Sequence, residues 1–115
     1  MYSLHTAICH VAMRLRGARS LKDKRQITQS IVSRLRNLGF SVCECGAQDD
    51  FKTAHIGFSF AGHSSQTVAR VVDEGMRLFV GEFEVVKRDR EIIQHAPTDS
   101  DDLSWMAGIE GDLKD

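Results

Sequence analysis

The chain predicts an α+β sandwich with the element order βαββαβ, and three observations carry that prediction. Four stretches have the alternation or the short apolar run of a β-strand. Two others repeat apolar residues at helical spacing, and serine or glycine punctuates the junctions between them.

The first strand spans Leu4 to Leu15. Ala7, Cys9, Val11, Met13 and Leu15 share one face, whereas Thr6, Ile8, His10, Ala12 and Arg14 share the other. Gly17 ends it. Ser20 is an N-cap, with Asp23 three residues on in a capping-box position. Leu21, Ile27, Ile31, Leu35 and Leu38 form the apolar stripe of the first helix, and Gly39 stops it. Lys24 projects within that stripe, so its ammonium must snorkel out or meet a carboxylate from the sheet. Phe40 to Ala47 reads as the second strand and Gln48-Asp49-Asp50 as a turn. Ala54 to Gly62 reads as the third strand, with Ile56, Phe58 and Phe60 on one face. His63-Ser64-Ser65 opens a second helix whose stripe is Val68, Val72, Met76 and Phe79. Gly81 ends it, and Phe83 to Ile92 supplies the fourth strand. A four-stranded antiparallel sheet with two helices on one face accommodates this order, as in a ferredoxin-like split βαβ sandwich.

The predicted domain is residues 1–93. An acidic C-terminal extension, 94–115, follows. Its stretch Thr98-Asp99-Ser100-Asp101-Asp102 leads to Leu103, Trp105, Met106, Ile109 and Leu113, enough for one short amphipathic helix. Such a tail either docks or frays as a terminal helix, or lies over a basic edge and competes with an anionic ligand.

A length of 115 residues suits one domain, and 42% hydrophobic with 27% charged residues is ordinary for a soluble globule. No apolar run approaches the ~20 residues of a membrane span, and no secretory signal pattern is visible. Three cysteines, an odd number, argue for a reducing, cytoplasmic setting. The net charge of −1 conceals an asymmetry. Residues 1–40 carry eight Lys or Arg against one acid, and residues 41–115 carry seven against fifteen. One end therefore suits an anionic partner.

The charge concentrates between Arg14 and Arg25, with six cations and one acid. Lys22, Lys24 and Arg25 fall in the first turn of the first helix, where the macrodipole favours anions and each misplaced cation forgoes about 0.3–1 kcal/mol. Helix N-termini bind phosphate. In the predicted topology Arg14, Arg16, Arg19, Lys22, Lys24 and Arg25 meet at one edge. Ser20 orders the helix start there, and Arg36 extends the patch along the outer helix face. Asp49, Asp50, Glu82 and Glu84 reach the same edge, so two readings compete. One is a surface ion-pair network at ~0–1 kcal/mol per pair. The other is a phosphate-binding edge for RNA with salt-sensitive, sequence-independent affinity.

The run Ser20-Leu21-Lys22-Asp23-Lys24-Arg25, followed by an amphipathic helix and then Val42-x-Glu44-x-Gly46-x-Gln48-Asp49, resembles the YlxP-like family of small bacterial proteins. The match runs in order and spacing from residue 4 to about residue 92. The resemblance implies a ferredoxin-like domain of unknown function. Because genes of that family commonly lie near those of translation initiation and ribosome maturation factors, it also implies a role around ribosomal RNA. Ala47 stands where many relatives have a larger polar residue, and the tail beyond Pro97 is longer than the typical domain.

Other chemistries are less well supported by the residues. The RNA-recognition motif shares this topology but stacks bases on aromatics of its central strands. Here the open sheet face offers Thr6, Ile8, His10 and Ala12 with His55, Gly57 and Ser59, and neither Phe nor Tyr. That face suits a homodimer contact or a small-ligand site better. Cys43 and Cys45 share a strand face, with Cys9, His10 and His55 on neighbouring strands. However, Cys-x-Cys is shorter than the usual zinc spacing, and Cys9 and His10 point to opposite faces. No metal site or cofactor is predicted. Nucleophile elbow, phosphate loop and zinc-protease helix are all missing. His5, His63 and His95 read as isolated and exposed. The reading is a non-enzymatic RNA- or ribosome-associated accessory protein. Its alternative is a protein-interaction or small-ligand module on the open face around His10, His55 and Ser59.

Overall fold

The computed structural model describes residues 2–81 and 83–95. The order is β1 (Leu4–Arg14), α1 (Leu21–Asn37), β2 (Ser41–Gly46), β3 (Thr53–Gly62), α2 (Ser65–Met76) and β4 (Glu84–His95). The strands form one antiparallel sheet in the order β2-β3-β1-β4. This is the ferredoxin-like sandwich. The acidic segment from Thr98 and the apolar residues up to Leu113 lie outside the described residues, as does Glu82.

The alternation of β1 determines which side is buried. Ala7, Cys9, Val11, Met13 and Leu15 are each at most 2% exposed and meet Ala54, Ile56 and Phe58 of β3 beneath the helices. Phe40 packs edge-on against Phe58, and Phe58 stacks on Phe79. The second helix stops at Met76, three residues before the expected stripe ends. A turn through Arg77 and Leu78 still delivers Phe79 to the core, where it is 2% exposed. Gly75 lets α2 approach closely, since a Cβ there would stand 2.8 Å from Phe40 Cε2.

Ser20 caps α1, its hydroxyl accepting the Asp23 N–H. Asp23 departs from a strict capping box. Its carboxylate accepts from the Arg19 N–H, one residue before the cap. Gly39 takes φ +100, the left-handed conformation that ends the helix. β4 continues to His95, which pairs with Leu4, so the sheet extends past residue 93. Two histidines need separate correction. His5 is only 8% exposed, because it points to the core side of β1, and its Nδ1 has no partner among the described residues. His95 is exposed but hydrogen-bonded to the Thr6 hydroxyl.

Candidate functional site

The end of β1, the start of α1, the β2–β3 turn and the start of β4 do meet at one edge. Arg14 pairs in register with Thr53 and Glu84. Lys24 ties the helix to the turn. Its side chain is 3% exposed, and its ammonium donates to the Ala47 carbonyl at 2.5 Å and the Asp50 carbonyl at 2.8 Å, with Glu44 Oε1 at 3.6 Å. The reading of Lys24 as a phosphate contact is therefore corrected. It is a buried clamp, its charge satisfied by three protein oxygens. The sheet carboxylate predicted to meet it is Glu44.

The remaining cations are exposed, and those at this edge divide into two groups. Arg16 donates to Glu84 at 2.6 Å, and Arg14 lies 3.6 Å from the same carboxylate, so two cations share one acid. Arg19, Lys22 and Arg25 form no ion pair among the described residues. Lys22 and Arg25 flank the start of α1, and Arg25 lines a polar cavity of about 200 Å³ with Leu21, Lys24, Glu44 and Gln48. Arg36 does not join them. It lies in the last turn of α1, fourteen residues beyond Lys22 and about 21 Å along the axis at ~1.5 Å per residue. Only an extended ligand would touch both ends.

Asp50 of the turn forms no ion pair with these cations among the described residues. The Asp50 carboxylate accepts from the Lys52 N–H at 2.8 Å and the Thr53 hydroxyl at 2.6 Å. Those bonds, Thr53 first, hold its pKa below the ordinary aspartate value. Lys52, which the charge pattern did not single out, donates to the Ala18 carbonyl and ties the loop before α1 to the same turn.

The opposite, open face of the sheet carries a second constellation. His10 and His55 are nearly coplanar and joined through His10 Nε2 and His55 Nδ1 at 2.9 Å. His10 Nδ1 lies 3.8 Å from Asp89, which also pairs with Lys87. Alternation placed both histidines on this face, but only the register shows that they touch. Ile8 is 57% exposed between two shallow hollows of about 460 and 290 Å³. Ala12, expected to be open here, is 6% exposed, flanked in register by His55 and Lys87. Among the described residues, no three His, Cys, Asp or Glu side chains are already gathered as a metal shell. Nor is any helix long and apolar enough to cross a membrane.

Solved structures similar to this chain include the following three. A PII-like signalling protein of Thermus thermophilus is 9% identical, with 84% of this chain and 94% of that one aligned at a TM-score of 0.44. The designed protein Foldit4 is 10% identical, covering 81% and 99% at 0.40. An Arabidopsis thaliana protein is 19% identical, covering 79% and 95% at 0.38. Similarity at this level carries nothing about activity or partners. No curated protein matches the chain. Residues 6–92 match the family described as protein of unknown function (DUF503), and the chain belongs to that family.

Proposed function

We propose that this chain is a YlxP-like member of its family. On this reading it is a non-enzymatic, cytoplasmic accessory protein that binds RNA, in ribosomal particles, through the edge at the start of α1. The observation that carries the reading is a set of three exposed cations, Arg19, Lys22 and Arg25, with no carboxylate partner among the described residues at a helix N-terminus. A cation there opposes the helix dipole unless an anion stands between them. Lys24 supports the surface from beneath, holding the β2–β3 turn against the helix so that the cations sit on a fixed backbone. Arg14 and Arg16 add a reserve, since one carboxylate is shared between them. Ser20 fixes the helix start, and Arg36 serves a ligand long enough to follow α1.

The experiment is fluorescence anisotropy with structured ribosomal RNA fragments and a random RNA of equal length, at two salt concentrations. Lys22→Glu with Arg25→Glu should weaken binding at least about tenfold at low salt without lowering the unfolding temperature, since carboxylates at a helix N-terminus favour the dipole. Unchanged affinity in that variant would show that the edge is an ion-pair network. A second reading is favoured by the exposed Ile8 and the two apolar hollows on the open sheet face. There a second copy of the chain, or a small ligand, would bind with little dependence on salt.

A further inference from the structure

Phosphate contacts give the α1 edge affinity for any nucleotide and no preference among bases. An acid at such an edge therefore needs a reason, because it repels the phosphate the cations attract. Glu44 is such an acid. With Leu21, Lys24, Arg25 and Gln48 it lines the polar cavity of about 200 Å³ beside the start of α1.

The Lys24 clamp does not use up this carboxylate. The buried ammonium donates to the Ala47 and Asp50 carbonyls and stays 3.6 Å from Glu44 Oε1, close enough for charge attraction but too far for a hydrogen bond. Neither carboxylate oxygen of Glu44 accepts a hydrogen bond among the described residues. Its lone pairs are open, and its charge is balanced by Lys24. Gln48 donates one amide hydrogen to the Glu44 carbonyl and keeps a second. Leu21, 38% exposed, is the apolar member of the group. The cavity thus combines an apolar wall, a pair of free acceptors and an amide donor.

That combination fits a planar group with apolar faces and donors along one edge. Unpaired RNA bases are such groups, with their Watson–Crick edges free. Guanine alone among the four presents two adjacent donors there, N1–H and the 2-amino group, which match the two oxygens of one carboxylate. Uracil offers one donor between two carbonyls, and adenine and cytosine set an acceptor beside their amino group. Drug-sized ligands occupy cavities of roughly 300–1,000 Å³, so this smaller one suits a single base with its ribose and phosphate outside, against Lys22 and Arg25. We propose that it receives one unpaired guanine of an RNA strand. Glu44 accepts from N1–H and the 2-amino group, Gln48 donates to O6, and Leu21 packs on the face of the ring. The inference rests on the phosphate-binding reading of this edge and adds a base to it.

The test is fluorescence anisotropy of the full chain with short uridine strands whose central base is guanine, inosine, adenine or uracil. The guanine strand should bind about tenfold or more tighter than the adenine and uracil strands. Inosine lacks the 2-amino group, so its strand should lie between them. In Glu44→Gln the four affinities should converge, while the all-uridine strand binds no more weakly, because a repelling charge has gone. A merely structural partner of Lys24 would instead weaken every strand alike. Thermal unfolding checks that the variant folds, and the inosine comparison decides without any variant. Guanosine monophosphate should displace the guanine strand only in large excess. Displacement at equal concentration would assign the pocket to a free nucleotide and overturn the RNA assignment. Equal, salt-sensitive binding of all four strands would overturn the guanine pocket and leave the phosphate edge standing. A preference retained in Glu44→Gln would overturn the role of Glu44, and no binding of any strand would overturn both readings.

Discussion

Lys24 brings a full positive charge into a position where 3% of its side chain meets solvent. Desolvating an ammonium costs several kcal/mol, which only good partners offset. Here those partners are the Ala47 and Asp50 carbonyls and the Glu44 carboxylate. Lys24→Ala leaves two turn carbonyls without their donor and should cost about 2–4 kcal/mol. In thermal unfolding that lowers the midpoint on the order of 10 °C or more. Lys24→Met keeps most of the volume and should lose less. If Lys24 were a ligand contact, Lys24→Ala would instead weaken RNA binding and leave the midpoint in place. Ala47, which accepts from this ammonium, adopts φ 56, a conformation costing a non-glycine residue roughly 1–2 kcal/mol. Asparagine tolerates it better. Ala47→Asn should raise the midpoint by several degrees, and a drop would show that the left-handed backbone is not what limits the turn.

At the scale of elements, β1 is the most legible and α1 the most misleading. Strict alternation over Ala7, Cys9, Val11 and Met13 predicts the buried face of β1, because a period of two admits only one assignment. In α1 the buried line is Lys24, Thr28, Ile31 and Leu35, whereas Leu21 at its start is 38% exposed. An apolar stripe drawn through the hydrophobic residues alone is displaced from the line that a buried lysine and threonine share. β4 has little pattern to read, since most of its residues are exposed at the sheet edge. The contact of His10 with His55 requires the register of β1 on β3, which no local pattern reveals. Cys9 gives β1 a measurable signature. Burial raises its thiol pKa from 9.0 to about 11, with Arg90 opposing the shift. The folded state favours the neutral thiol, so this contribution is complete below the unfolded value near 9.0 and is lost as pH rises through about 11. Denaturant unfolding from pH 8 to 11 should show the wild type losing on the order of 2 kcal/mol more than Cys9→Ala. Parallel pH profiles for the two proteins would contradict it.

The whole molecule separates two surfaces on one sandwich. The α1 edge is cationic on a clamped backbone, and the open sheet face gathers imidazoles, thiols and exposed isoleucine. Both are positioned by the same sheet, yet they demand opposite chemistry of a partner. A phosphate contact is electrostatic and releases counterions, so its strength is written in its salt dependence. An apolar contact on the open face has no such slope. The charge asymmetry of the sequence and the position of the Ser20-to-Arg25 run are enough to locate the cationic edge. Which of its cations are free is not legible, because that depends on Lys24 turning inward and on Glu84 lying beside Arg14 and Arg16.

The slope of log affinity against log salt for ribosomal RNA, compared between the wild type and Lys22→Gln with Arg25→Gln, tests the central claim most directly. Each phosphate contact contributes about 0.7–0.9 to that slope. The account predicts a wild-type slope of several units that falls by roughly 1.5 in the double variant, with the unfolding temperature not lowered. A flat wild-type slope, or the same slope in both proteins, would contradict it.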